Sequence, residues 1–167
     1  CWNLTVVYGP TDDALKVQFL QELRDIRVDR PGLWAVAGDF NLIVDASDKS
    51  NDLINRRMLG RFRRLLNDLQ LKESALVGRR YTWSNERETP MLTKIDRAFI
   101  SVHWDLDHPE CLLQALSTEY SDHCPLHLAL EEHMHARRRF RFEKFWVKMD
   151  GFLDVFKEAW LCDPNIT

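Results

Sequence analysis

The sequence has little of what marks several protein classes. Only four cysteines occur in 167 residues, Cys1, Cys111, Cys124 and Cys162, widely spaced and with no CxxC pair. A disulfide scaffold would be denser in cysteine, so these read as reduced thiols of a nuclear or cytoplasmic protein, not a secreted one. No apolar run approaches the roughly 18 residues that a membrane helix needs. No basic and then apolar leader opens the chain, so no signal peptide is expected. The absence of a GxSxG turn argues against a hydrolase built on a nucleophile elbow. Cys124, His127, His133 and His135 lie close together but lack the paired spacing of a structural zinc site.

What is present is an ordinary globular mixture, 45% hydrophobic and 29% charged, enough for one domain with a real core. Six Trp and nine Phe promise a bulky core or an aromatic binding face. The net charge of -3 argues against a general polyanion sponge, but the charge is unevenly placed. Residues 134–148 hold Arg137, Arg138, Arg139, Arg141, Lys144 and Lys148 against Glu143, with Phe140, Phe142, Phe145 and Trp146 between them. Cations interleaved with aromatics suit phosphates and stacked bases, and they equally suit a solvated linker. The expected division is therefore 1–133 as a domain portion and 134–167 as a basic-aromatic linker followed by an amphipathic helix.

Along the chain, the β-branched and aromatic residues 2–8 read as a strand stopped by Gly9-Pro10. Thr11 is placed to cap a helix carrying Leu15, Phe19, Leu23 and Ile26 at helical spacing. The apolar run 33–37 reads as a buried strand. Residues 53–69 read as a helix with Leu59, Phe62, Leu65, Leu66 and Leu69 on one side and Arg56, Arg57, Arg61, Arg63 and Arg64 on the other. Short strands are expected at 81–84, 94–101, 112–116 and 126–130, and a last helix at 149–161. Alternating strands and helices point to an α/β layered domain.

Polar groups gather at the ends of these strands. Asp39 and Asn41 are two apart, so on an extended backbone both leave the same face while Phe40 packs the other way. Asp96 sits in the apolar strand 95–100, a costly place for a carboxylate without a partner. Ser121-Asp122-His123 immediately precedes the strand that begins at Pro125. Carboxylates and an imidazole at strand ends suit metal-assisted phosphodiester hydrolysis, which needs oxygen ligands for a hard cation and a group that deprotonates water. Each piece also has a plain structural reading. Asp39-Asn41 suits a turn, Asp96 suits an ion pair with an arginine, Asp122 suits a loop cap, and His123 suits the surface.

Taken in order, Val-Val-Tyr8-Gly-Pro, Gly-Asp39-Phe-Asn41, Arg-Tyr-Thr82-Trp-Ser-Asn, Lys-Ile-Asp96-Arg and Ser121-Asp122-His123 resemble the endonuclease/exonuclease/phosphatase superfamily. The phrase Arg-Arg-Tyr-Thr-Trp-Ser-Asn, the Cys-Pro-Leu after Ser-Asp-His and the Arg-rich Phe-x-Phe-Glu-x-Phe-Trp stretch are most similar to the endonuclease domain of plant non-LTR (LINE-type) retrotransposons. The resemblance implies an α/β sandwich of two mostly antiparallel sheets flanked by helices, a Mg²⁺ cofactor and a DNA substrate nicked in retrotransposition. It implies that Tyr8 lies at the phosphate as donor or positioning group, that Asp39 orients and activates the attacking water or bridges to the leaving oxygen, and that Asn41 holds the phosphate and steadies Asp39. Asp96 would partner His123, whose imidazolium stabilises the transition state; Asp122 would belong to the metal shell and Thr82 would contact the DNA strand. Arg137, Arg138, Arg139 and Arg141 would bind the nucleic acid backbone.

The resemblance lacks the family's early metal-binding Asn and its principal metal-binding Glu; Glu22, Glu73 and Glu86 fall on a helix or in loops after the wrong motif. The stretch thus reads as the later portion of such a domain. A weak or incomplete Mg²⁺ site, low or absent activity, and an apolar sheet face open to self-association are expected. A non-catalytic remnant that at most binds nucleic acid is the competing reading. A phosphoinositide or sphingolipid substrate on the same fold is a third.

Overall fold

The computed structural model describes residues 2–130 and 144–161. Strand β1 (Trp2–Tyr8) pairs in parallel with β2 (Leu33–Asp39). Strand β7 (Asp96–Ser101) lies antiparallel to β2, and β3 (Leu71–Glu73) lies antiparallel to β7, giving the order β1-β2-β7-β3. Between β1 and β2 runs helix α1 (Asp13–Asp29), and before β3 comes α2 (Arg56–Asp68). A second sheet has the order β4-β8-β9, from Leu76–Val77, Leu112–Ala115 and Leu126–Ala129. Strands β5 (Trp83–Ser84) and β6 (Leu92–Thr93) form a small ribbon, and α3 (Val102–Asp107) follows β7. Helix α4 (Phe152–Leu161) follows a 3₁₀ turn at Lys144–Lys148. The α/β layering expected from the sequence is what is found, with mixed sheets flanked by helices.

Strand alternation divides the core into two layers. On one face of the main sheet Val7, Trp34, Val36, Phe40, Leu71 and Phe99 meet Phe19, Leu20 and Leu23 of α1 and Met58, Phe62, Leu65 and Leu66 of α2. Phe40, Phe62 and Phe99 make mutual ring contacts at 5.0–5.6 Å between centroids, edge-on or tilted as aromatic quadrupoles prefer. On the opposite face Ala35, Ile100 and Trp104 pack with Leu33, Leu128 and Leu130, which brings the second sheet against the first.

Several local expectations are corrected. The first helix is capped by Asp12 rather than Thr11: its carboxylate accepts from the amides of Ala14 and Leu15. Helix α2 starts at Arg56, where Asn55 accepts from the Met58 amide. Strands β3, β4 and β6 and helix α3 were not foreseen; three residues or fewer per strand leave no periodicity to read. Glu73 lies on β3 rather than in a loop. It is buried against Arg97, itself fully enclosed, which also pairs with Asp48, while Lys94 Nζ reaches Glu73 at 2.6 Å. Asp48 in turn accepts from the amides of Val44 and Asp45, so this network clamps the loop after β2 to the sheet.

Strand β1 is an edge of the main sheet, and Trp2, Leu4, Val6 and Tyr8 on one face of it are 49–82% exposed. Arg137, Arg138, Arg139 and Arg141, and the greater part of the expected 134–167 segment before α4, lie outside the described residues. Phe145, one of the interleaved aromatics, is enclosed and therefore closed to a stacked base.

Candidate active site

The register of the main sheet sets out a row of polar groups. Tyr8 is paired with Asp39, and Asp39 with Asp96, so three side chains from three strands project to one face at one end of the sheet. Two glycines allow this end to close. Gly38 has φ +138, and a Cβ there or at Gly9 would collide with the Val7 or Phe40 carbonyl respectively. The Gly9 amide donates to the Asp39 carbonyl at 2.6 Å, tying the end of β1 to the end of β2.

Asp39 and Asn41 do come together, but not along an extended strand. The strand ends at Asp39 and Asn41 turns left-handed, with φ +48. The Asn41 amide donates to Asp39 Oδ1 at 2.8 Å, and Asn41 Nδ2 donates to Asp39 Oδ2 at 2.9 Å and to the Gly9 carbonyl at 2.8 Å. Asn tolerates this backbone region because its side chain bonds locally. The Gly9 carbonyl accepts only, so the amide orientation is determined and both Nδ2 hydrogens are spent. Asn41 therefore steadies Asp39, with both Nδ2 hydrogens already taken. Burial pushes the Asp39 carboxyl up from its usual range; the Asn41 amide opposes this, the facing Asp96 adds to it and His123 opposes it.

Asp96 is buried, and His123 Nδ1 lies 3.0 Å from both of its oxygens. The neighbouring Arg97 pairs elsewhere, with Glu73 and Asp48. With Nδ1 engaged, Nε2 is the imidazole nitrogen left for a ligand. His123 is carried on the loop before β9, which pairs with the β5 strand: Trp83 and His123 form a bridge, Ser84 N donates to Asp122 O at 3.1 Å, and Cys124 N to Thr82 O at 2.7 Å.

Thr82 is placed differently from the expectation that it meets DNA. It is fully buried, and its hydroxyl accepts from the amides of Ile95 at 3.2 Å and Asp96 at 3.0 Å. It orients the start of β7 and cannot touch a polymer outside. The residue beside it is one that sequence reasoning passed over. Trp83 Nε1 donates to Asp122 Oδ2 at 2.8 Å and its ring lies 6.5 Å from that of His123. Only its position inside the Tyr-Thr-Trp-Ser phrase could have drawn attention to it.

These groups surround one cleft of about 510 Å³. Tyr8, Asp39, Asn41, Trp83, Asp122 and His123 line one part of it, and Asp13, Lys16, Lys49, Asn55, Met58 and Leu59 another. On that second wall Lys16 and Asn55 hold the Asp13 carboxyl below the usual carboxylate range. Among the described residues no three His, Cys, Asp or Glu side chains converge as a metal-binding group. No helix among them is long and apolar enough to cross a membrane.

The fold has solved counterparts. The endonuclease domain of TRAS1, a telomere-specific non-LTR retrotransposon, superposes with a TM-score of 0.58 at 17% identity, over 80% of this chain and 60% of that one. The 3′-5′ exonuclease NExo from Neisseria meningitidis gives 0.59 at 21% identity, over 75% of this chain and 59% of that one. A Neisseria NExo 3′ phosphatase bound to a product DNA hairpin gives 0.57 at 20% identity, over 72% and 53%. The chain thus spans 53–60% of the length of these structures. No curated protein sequence matches it. Residues 2–123, from the first strand through the histidine beside Asp96, match the Endonuclease/Exonuclease/phosphatase family, and the chain belongs to that family.

Proposed function

We propose that this chain is a DNA phosphodiesterase of the kind that nicks target DNA in non-LTR retrotransposition, of low activity as it stands. The observation that carries this reading is the convergence of Asp39 and the His123–Asp96 pair, with Tyr8, on one cleft. Asp39, whose proton affinity burial has raised, takes a proton from the attacking water. His123 Nε2 donates to a phosphate oxygen as charge develops on it, while Asp96 fixes the ring through Nδ1; the P–O3′ bond breaks and the departing O3′ takes a proton from solvent to become the 3′-hydroxyl. Tyr8 places its phenol at the phosphate, and Asn41 holds Asp39 in its working orientation. The names of the structural counterparts, two of them nucleases and one bound to a DNA hairpin, favour DNA over a lipid phosphate. Arg137, Arg138, Arg139 and Arg141 are proposed as added phosphate contacts, and a nuclear or cytoplasmic setting goes with a DNA substrate.

The family is generally divalent-metal dependent. The residues described here do not make up a full Mg²⁺ set: Asp122 is engaged by Trp83, Asp39 by Asn41, and no third ligand joins them. Asp122 is proposed to hold Mg²⁺ weakly and largely through water. The same observation favours a second reading, a non-catalytic remnant that only binds nucleic acid.

Supercoiled-plasmid nicking separates the two readings. With Mg²⁺, with EDTA, and with Asp39→Ala and His123→Ala, the first expects slow metal-dependent nicking that both substitutions abolish. A folded sample that binds plasmid and never nicks it would establish the remnant.

A further inference from the structure

The arginines of α2 take no part in the site described above. Within its 13 residues the helix carries Arg56, Arg57, Arg61, Arg63 and Arg64 against a single acid, Asp68, in a chain whose net charge is -3. Met58, Phe62, Leu65 and Leu66 hold the buried side. At about 100° per residue, Arg56, Arg57, Arg61 and Arg64 fall in one arc opposite it. Arg63 is committed to Asp45 at 2.6 Å and to the Val44 carbonyl, and Asp68 is taken by Arg24 at 3.1 Å. Among the described residues, none of the other four arginines forms a salt bridge; Arg64 reaches only the Gly60 carbonyl of its own helix, at 3.3 Å.

A stripe of like charges at i,i+4 spacing, as in Arg57 and Arg61, repels itself and weakens the helix. That repulsion disappears when an anion with repeated charges lies along it. The stripe also begins in the right place. Asn55, Met58 and Leu59, at the start of α2, line the same cleft as Asp39 and His123. From there the helix runs about 20 Å at 1.5 Å per residue, comparable to about six phosphates of one DNA strand at 3.4 Å each.

We propose that the outer face of α2, through the exposed Arg56, Arg57 and Arg64 and the half-buried Arg61, is a phosphate-binding track that carries the DNA backbone away from the cleft. This rests on the phosphodiesterase reading for the identity of the ligand. The contact is electrostatic and independent of base sequence, since guanidinia on a convex helix face grip phosphate oxygens and read no base edge.

The test is fluorescence anisotropy of a labelled DNA duplex of about 20 bp in EDTA, over a salt series from about 50 to 300 mM. The proteins are the wild type, an Arg56→Gln/Arg57→Gln/Arg61→Gln triple variant, Arg64→Glu, and a variant with Arg137, Arg138, Arg139 and Arg141 changed to glutamine. Losing three phosphate contacts lowers the slope of log K against log salt by about 2 to 3, and the single reversal lowers it by about 1. Melting temperatures stay at or above the wild-type value, because like-charge repulsion is relieved. An unchanged slope in folded α2 variants, or a salt dependence lost wholly in the 137–141 variant, overturns the track. Nicking is read separately on plasmid. A wild type that never nicks but whose slope responds to α2 retains the track and sinks the catalytic reading.

Discussion

Thr82→Val is the substitution that most sharply separates a buried positioning role from a substrate contact. Valine matches threonine in shape, so the change removes one hydroxyl and opens no cavity. That hydroxyl is fully enclosed and accepts from two backbone amides, those of Ile95 and Asp96. A buried N–H left without an acceptor costs about 1–3 kcal/mol. With two donors and partial relaxation, a loss of about 2–4 kcal/mol is expected. For a chain of this length that is a fall in Tm of about 5–15 °C. Thr82→Ser keeps the hydroxyl and loses a methyl, at a cost of about 1 kcal/mol. Differential scanning calorimetry should therefore rank serine above valine, against the ordinary preference of a buried site for the apolar residue. Plasmid nicking should follow the same rank through turnover, because the Asp96 amide is what the hydroxyl anchors. A valine variant that melts with the wild type and loses only DNA affinity would refute the reasoning.

Arg97→Met should lower stability by about 2–3 kcal/mol, because it takes away one of the two cations on Glu73, leaving Lys94, and releases Asp48; urea midpoints measure it, and a loss under about 1 kcal/mol counts against the clamp. The Asp39 carboxyl titrates above its ordinary 3.8 because of burial. If Asp39 is the base, as proposed, it must be ionised, so nicking should fall as pH drops through that raised value, and the acid limb of kcat/KM should lie above the ordinary 3.8 of a free carboxyl. Its effect on stability has the opposite sense: it is most favourable below 3.8 and is lost as pH rises through the raised folded value. Wild-type stability relative to Asp39→Ala should therefore decline over that window in pH-dependent melts. Trp83→Phe keeps the ring and removes the donor to Asp122. A several-fold loss of nicking with Tm nearly unchanged is expected, and equal rates would show that this hydrogen bond is idle. The exposed stripe Trp2, Leu4, Val6 and Tyr8 on an edge strand should drive self-association visible by light scattering, and Val6→Lys should reduce it.

The amino-acid order was enough for the α/β class, for the existence of β1, α1, β2 and α2, and for the family, because these rest on local quantities: apolar period and short ordered motifs. It brought Tyr8, Asp39, Asn41, Asp96, Asp122 and His123 under suspicion without showing how they meet. The meeting belongs to pairing register and to loops. Asp39 stands opposite Asp96 because β2 and β7 pair antiparallel across the 56 intervening residues 40–95, and no period within either strand encodes that. Asn41 reaches Asp39 through a left-handed turn rather than along a strand. Thr82 shows the limit most clearly. Its motif marks it as important, but whether a hydroxyl faces DNA or two backbone amides depends on what packs over it, and only the seating of Thr82 between the start of β7 and the Asp122–Cys124 loop decided that. The partners of Glu73 and Arg97, and the indole N–H on Asp122, were likewise settled by tertiary contact, because a buried charge or donor takes whichever partner the fold brings within reach.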